Sequence, residues 1–120
     1  MLKIMKSISK ENRPWGRFYV IHDEKNYKLK RIEVEPGNRL SYQYHNKRSE
    51  TWIVVKGQAT VTINDKVMNY KQGETLHIPV REKHRVENKS DELLVFIEVQ
   101  TGKYFGEDDI VRIEDDYNRK

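Results

Sequence analysis

The chain has 120 residues, of which 36% are hydrophobic and 35% are charged, and its formal net charge is +4. This length predicts a single domain over residues 1–120, and the lack of cysteine excludes disulfides and thiolate metal sites. Lys and Arg alternate with Asp and Glu, which argues against nucleic acid and favours a small anionic ligand. No apolar run has the length of a signal peptide or a membrane span, so we expect a cytoplasmic protein without membrane contact.

Nine short runs, most of them rich in Val, Ile, Thr and aromatic residues, follow one another and are separated by turn residues. They cover residues 16–22, 27–35, 39–44, 51–56, 59–63, 66–70, 74–78, 84–88 and 93–100. Asn64-Asp65 reads as a two-residue hairpin turn, and Gly37, Gly57 and Gly73 as turn glycines. The pattern predicts an all-β fold with a barrel core over about residues 16–100, between an N-terminal arm and a C-terminal tail.

Outside these runs, only residues 108–112 are expected to form a short helix. The last ten residues are strongly charged. We expect them to pack loosely or to reach a partner.

The residues with ligand chemistry lie in two blocks. Gln43 and His45 are two apart on one predicted strand, so their side chains point to the same face. Glu50 begins the next strand and can return beside His45. An amide oxygen, an imidazole and a carboxylate would then converge, and a divalent metal needs one more protein ligand, which the block at residues 73–88 supplies.

These blocks resemble the two cupin motifs, G-x5-H-x-H-x4-E-x6-G and G-x5-P-x-G-x2-H-x3-N, with every spacing kept. Gln43 replaces the first histidine, and Arg81 replaces the middle glycine of the second motif. The resemblance implies a cupin double-stranded β-helix, a jelly-roll barrel whose mouth holds a metal. It also implies the ligand set Gln43, His45, Glu50 and His84.

A narrower likeness covers most of the chain. The stretches at residues 13–16, 43–55, 97–102 and 106–112 are similar to the C-terminal domain of type II mannose-6-phosphate isomerases. In that family the domain usually follows a mannose-1-phosphate guanylyltransferase domain and serves GDP-mannose biosynthesis. This chain carries no nucleotide-binding loop, so the resemblance implies only a metal-dependent isomerase that interconverts mannose 6-phosphate and fructose 6-phosphate.

Such an isomerase moves a proton between C1 and C2 through an enediol, and a metal stabilises the charge that grows on the sugar oxygens. The family likeness favours zinc, while manganese, cobalt, iron and nickel also suit the ligands. Arg48 stands where the family has an arginine important for isomerisation, so we assign it a catalytic or orienting role. His77 is a candidate base facing the cavity. The candidates for binding phosphate are Arg39, Lys47, Arg81, Lys83 and Arg112.

Other interpretations remain open. The chain is alternatively a non-catalytic cupin that binds a sugar or sugar phosphate and partners a separate guanylyltransferase. A cupin oxygenase is a third possibility, because histidines and a carboxylate also hold iron. A homodimer is expected, since a small barrel often covers a sheet edge with a partner.

Overall fold

The computed structural model describes residues 7–119. In this part of the chain there are eleven β-strands and no helix, and therefore no helix that could cross a membrane. The strands are β1 (Ser9–Arg13), β2 (Gly16–Asp23), β3 (Tyr27–Val34), β4 (Tyr42–Tyr44), β5 (Arg48–Lys56), β6 (Gln58–Ile63), β7 (Lys66–Lys71), β8 (Thr75–Ile78), β9 (His84–Glu87), β10 (Leu94–Gly102) and β11 (Val111–Glu114).

The strands form two antiparallel sheets. One has six strands in the order β1-β2-β3-β10-β5-β8, and the other has five in the order β11-β4-β9-β6-β7. Both sheets contribute to one buried core, in which Trp52 and Phe96 of the larger sheet join Val61 and Val86 of the smaller one. The expected all-β fold is thereby confirmed.

Local sequence accounts for most of the strand boundaries. The nine expected strands correspond to β2 through β10. Asn64 and Asp65 adopt φ angles of 47° and 69°, the left-handed conformation of a two-residue hairpin turn, and Ile63 pairs with Lys66 across it. Arg81 also has a positive φ, 68°, at the position where the cupin motif has glycine.

The expected helix at residues 108–112 is wrong. Val111 and Arg112 instead begin β11, which pairs with β4. Just before it, the Asp109 carboxylate accepts hydrogen bonds from the backbone N–H groups of Asn46 and Lys47, both at 2.9 Å. Tertiary partners for the backbone and the side chain thus outweigh a weak local helical preference.

The C-terminal tail is not loosely packed, contrary to expectation. Beyond β11, Asp116 accepts two hydrogen bonds from Arg39 at 2.6 and 2.8 Å. Tyr117 packs against the hydrophobic core, and Arg119 binds the Asp115 carboxylate. The described residues after β10, 103–119, therefore form a strap over the barrel.

Candidate metal centre

Three of the predicted ligands meet inside the barrel. His45 follows β4, Glu50 lies on β5 and His84 begins β9. Their ligand atoms all lie within 4.8 Å of one another, and each side chain is at least 97% buried. The alternation of β5 places Glu50 inward, on the same face as the core residue Trp52. A His–Glu–His cluster with the donor types of a metal site results.

Both histidines direct Nε2 toward this cluster and Nδ1 toward a backbone carbonyl. His45 Nδ1 donates to the carbonyl oxygen of Asp109 at 2.7 Å, and His84 Nδ1 donates to that of Glu82 at 2.9 Å. Because a carbonyl oxygen only accepts hydrogen bonds, Nδ1 carries the proton in each neutral ring and the Nε2 lone pair is available. Histidines that bind metals are oriented in this way.

The spacing of the cluster fits a divalent metal ion. His45 Nε2 lies 3.1 Å from Glu50 Oε2, and His84 Nε2 lies 3.9 Å from Glu50 Oε1. Ligand atoms that are about 2.0–2.2 Å from one ion are roughly 3–3.6 Å apart, so these two pairs need only small shifts. Among the described residues, the buried His84 Nε2 has no hydrogen-bond partner. A cation would satisfy this desolvated lone pair.

The cluster also has suitable protonation states. Burial lowers the pKa of His84, which keeps its imidazole neutral. Burial opposes ionisation of Glu50, but its polar neighbours, including the permanently charged Arg48, outweigh this effect and hold the pKa of Glu50 well below its usual value. Trp52 Nε1 also donates to Glu50 Oε1 at 2.9 Å. Neutral imidazole and ionised carboxylate are the forms that bind metals.

Gln43 lies beside the cluster but does not direct its oxygen into it. Its Nε2 is 3.4 Å from His45 Nε2, and its Oε1 accepts a hydrogen bond from Ser41 Oγ at 2.6 Å. Ligation by Gln43 requires the amide to turn over, which would bring the oxygen to the position that the nitrogen now holds.

Arg48 is buried against the same residues. Its Nε donates to Glu50 Oε2 at 2.9 Å, and its Nη2 donates to His45 Nε2 at 3.2 Å. Burial alone would lower the pKa of Arg48, but the charges of Glu50, Glu98 and Glu107 raise it. A permanently charged guanidinium thus lies next to the candidate metal centre.

His77 does not face the cavity, so that prediction is wrong. It is exposed on β8, where it pairs in register with Thr51, and its Nδ1 lies 3.0 Å from Thr51 Oγ1. Thr51 is exposed while its neighbour Glu50 is buried. The side chain of His77 therefore points to the outer face of the sheet, away from the cluster.

The structure adds Glu98, which sequence reasoning missed. This buried residue on β10 accepts a hydrogen bond from Gln100 Nε2 at 2.6 Å. Burial, assisted by the negative charge of Glu50, raises the pKa of Glu98 to about 8. The sequence signal that could have identified Glu98 is its position in the stretch at residues 97–102, which is one of the stretches that carry the family resemblance.

Asp109 was also missed, and it positions His45. Its backbone carbonyl accepts the Nδ1–H of that histidine, while its carboxylate ties down the turn formed by Asn46 and Lys47. The strap is therefore connected directly to a candidate metal ligand. Outer partners of this kind fix the ring orientation of ligating histidines.

Two adjoining spaces give access to the cluster. An open cleft with an empty volume of about 510 Å³ has His45 and Arg48 in its wall. A smaller pocket of about 240 Å³ is lined by Glu50 and His84. Four residues line both spaces: Ile32, Leu40, Gln43 and Glu98.

Comparison with solved structures identifies the fold. The chain superposes with a TM-score of 0.70 and 21% identity on a conserved protein with a double-stranded β-helix domain from Klebsiella pneumoniae, covering 79% of this chain and 76% of that one. The molecule therefore has the cupin fold, with a candidate His–Glu–His metal centre inside its barrel. More narrowly, the family model "Mannose-6-phosphate isomerase C-terminal" matches residues 3–115, and the chain belongs to that family.

The relatives that the chain matches are much longer proteins. The xanthan biosynthesis protein XanB of Xanthomonas campestris is 47% identical over 107 residues, which are 89% of this chain and 23% of XanB. A mannose-1-phosphate guanylyltransferase of Salmonella montevideo is 42% identical over 128 residues, covering 98% of this chain and 27% of that protein. The chain thus spans about a quarter of the length of the curated relatives it matches.

Proposed function

We propose that this cupin is a metal-dependent aldose–ketose isomerase that interconverts mannose 6-phosphate and fructose 6-phosphate. The observation that carries the proposal is the buried cluster of His45, Glu50 and His84, with Arg48 against it, in a chain of the mannose-6-phosphate isomerase C-terminal family. Gln43 is the proposed fourth ligand after its amide turns over.

The buried residues support this chemistry in distinct ways. A divalent metal, for which we propose zinc, would supply Lewis acidity toward the sugar oxygens when bound by these ligands. Arg48 orients the substrate and stabilises negative charge on the enediolate, because a buried guanidinium retains its proton and donates hydrogen bonds. Asp109 accepts the Nδ1–H of His45 and so keeps that ring in the orientation that directs its unprotonated Nε2 toward the cluster.

Isomerisation also needs a group that carries the proton between C1 and C2. Glu98 has a suitable position, because this residue lines both the cleft and the smaller pocket. It lies on the inner face of the barrel, whereas His77 lies on the outer face. We propose Glu98 as this proton carrier, in place of His77.

The test is a coupled assay of fructose 6-phosphate formation from mannose 6-phosphate with added zinc, manganese, cobalt, iron or nickel. We expect metal-dependent turnover by the wild-type protein and a fall in kcat of about 100-fold or more for Glu98→Gln. Metal-loaded protein that binds mannose 6-phosphate without turning it over would refute the isomerase proposal. That result would instead identify the non-catalytic sugar-phosphate-binding cupin.

The setting of the reaction is part of the same proposal. The similarity to the mannose-1-phosphate guanylyltransferase of Salmonella montevideo supports a role in GDP-mannose biosynthesis beside such an enzyme. We further propose a single domain over residues 1–120, a cytoplasmic location and a homodimer. Light scattering of the purified protein tests the dimer.

A further inference from the structure

The larger sheet carries apolar side chains on its outer face. Ile97 and Val99 alternate along β10 with buried side chains, so they point away from the barrel interior. Ile97 pairs in register with Ile53 of β5, and Val99 pairs with Leu29 of β3. Val55, the next outward residue of β5, is 38% exposed, as is Ile53. These five residues form a continuous surface, which we call the outer patch.

The smaller sheet has a different outer face. Its central strands β6 and β9 direct polar side chains outward, with Thr60 paired to Glu87 and Thr62 paired to Arg85. An antiparallel sheet with one face in the core commonly has a polar second face, and the smaller sheet follows this rule. The larger sheet does not, and an apolar second face indicates that another layer covers it.

The described part of the chain does not supply that layer. Residues 7–119 form two sheets and no helix, and the two sheets enclose one core, to which none of the five residues of the outer patch belongs. We infer that the outer patch is the surface through which two copies of this chain associate. This inference builds on the homodimer proposed above and assigns its interface.

The outer face of the larger sheet is large enough for a stable dimer. Five strands, from β2 to β8 in the sheet order, lie beside one another, and β10 among them has nine residues. With strands about 4.8 Å apart and a rise of about 3.3 Å per residue, this face measures roughly 600 Å². Two such faces together bury about 1,200 Å², the area at which stable specific interfaces begin.

The charges of this face favour a second copy over an unlike partner. Arg17 binds both Glu33 and Glu35, and Arg31 binds Glu33 at 2.8 Å, so these four groups are neutral as a whole. The outward residues of β10, β5 and β8 include no Asp, Glu, Lys or Arg. Unlike partners are commonly selected by complementary charge, which this face does not offer, whereas apolar surface is complementary to itself.

A two-fold axis parallel to β10 suits this arrangement. Sheets that pack face to face keep their strands within about 30° of each other and lie about 10 Å apart. Such an axis places Ile97 and Val99 against the same residues of the second copy. It also lays the β3 side of one face, with its ion pairs, on the uncharged β5 side of the other. Apolar surface is then buried at the centre, and like charges do not meet.

Sedimentation velocity across a range of micromolar concentrations tests the interface. Wild type should sediment as a dimer. Val99→Glu places two carboxylates opposite each other at the axis, so we expect the Kd of the dimer to rise by about 100-fold or more. Ile97→Thr keeps a β-branched side chain but removes apolar surface, and it should raise this Kd by about tenfold.

The matched control is Val67→Glu, the same substitution at a residue of β7 that is 60% exposed and lies outside the outer patch. It should dimerise like the wild type, and thermal melting verifies that each variant is folded. The inference fails if wild type is a monomer, which would leave the outer patch to another partner. It also fails if folded Val99→Glu dimerises like the wild type. Should Val99→Glu not fold, a Kd for Ile97→Thr within twofold of wild type overturns the inference.

This inference and the proposed function fail in different ways. A dimer that persists in both patch variants keeps the homodimer but loses this interface. A monomeric wild type that interconverts mannose 6-phosphate and fructose 6-phosphate keeps the isomerase and loses the interface. A dimer that dissociates in Val99→Glu but has no isomerase activity as wild type keeps the interface and loses the isomerase.

Discussion

The two halves of the barrel interior differ in chemistry although the same strands build both. Toward one end, the inward side chains of three neighbouring strands are apolar: Ile32 and Val34 on β3, Phe96 and Leu94 on β10, and Trp52 and Val54 on β5. Toward the other end, the inward positions of these strands are charged or polar: Lys28 and Lys30, Glu98 and Gln100, and Arg48 and Glu50.

The apolar half contributes mainly to the stability of the fold, and the polar half contains the groups suited to chemistry. In the apolar half, the Trp52 and Phe96 rings lie 4.5 Å apart between their centres, and burial of such surface stabilises the fold. In the polar half, buried charges carry a desolvation cost that their ion pairs offset only in part. The apolar half thus supplies the stability that lets the polar half hold reactive groups.

The largest expected effect is the loss of a metal ligand from the polar half. We expect His84→Ala to abolish stoichiometric metal binding and to lower isomerisation by more than the roughly 10–100-fold typical of residues that only support a ligand. His77→Ala, a histidine substitution on the outer face, should keep both properties. Elemental analysis and the coupled assay measure them, and a His84→Ala protein that binds metal like the wild type would contradict the assigned centre.

A core truncation probes the apolar half. Phe96→Ala should lower the free energy of unfolding by about 3–5 kcal/mol, because it leaves a cavity against Trp52. The folded fraction should still bind metal. Val67 is 60% exposed, so Val67→Ala should change stability by less than about 0.5 kcal/mol. Urea unfolding measures both, and a metal-free but stable Phe96→Ala protein would show that the halves are not separable.

Removing the Asp109 carboxylate tests the support given by the strap. Asp109→Ala frees the turn at Asn46 and Lys47, and we expect about a tenfold loss of zinc affinity, since the His45 ring is then less firmly held. The exposed neighbour Asp108 provides the control, Asp108→Ala. Competition with a chelator measures the affinity, and equal zinc affinities for the two variants would remove Asp109 from the metal centre.

The smallest effect concerns the end of the strap and is pH dependent. The pKa of Asp115 is lowered from its ordinary value of 3.8 to about 2, mainly because Arg119 donates hydrogen bonds to its carboxylate. This ionised group therefore stabilises the fold above pH 3.8, and its contribution disappears as the pH falls toward 2. Asp115→Asn should cost less than about 1 kcal/mol at pH 7. Urea unfolding should show this difference shrinking in acid, and a constant difference would contradict the pairing.

Much of the fold was predictable because its signals are local. Alternating Val, Ile and Thr residues mark β5 and β6, and Asn64-Asp65 specifies a turn whose backbone matches the twist of the flanking strands. The spacing of His45 and Glu50 also predicted their convergence, because it depends on one strand, one turn and the start of the next strand.

The charged half of the barrel could not be predicted in the same way, because local sequence does not specify it. Lys28 and Lys30 alternate with Tyr27 and Leu29. A prediction that places apolar side chains inward would therefore put Tyr27 and Leu29, instead of the two lysines, on the inner face of β3. The strand is in fact oriented by Ile32 and Val34 farther along and by its pairing with β10. Local rules fail in this way most often at functional sites.

The sequence by itself thus determined the β-strand pattern and, through spacing along the chain, the candidate ligands His45 and Glu50. It indicated His84 through the resemblance to the second cupin motif. Only the tertiary structure decided that His77 faces outward, that Glu98 lies in the cavity, and that the strap brings Asp109 and Arg119 to the site. The physical reason is distance along the chain. These contacts join segments that are remote in sequence, and the packing of the whole barrel brings them together.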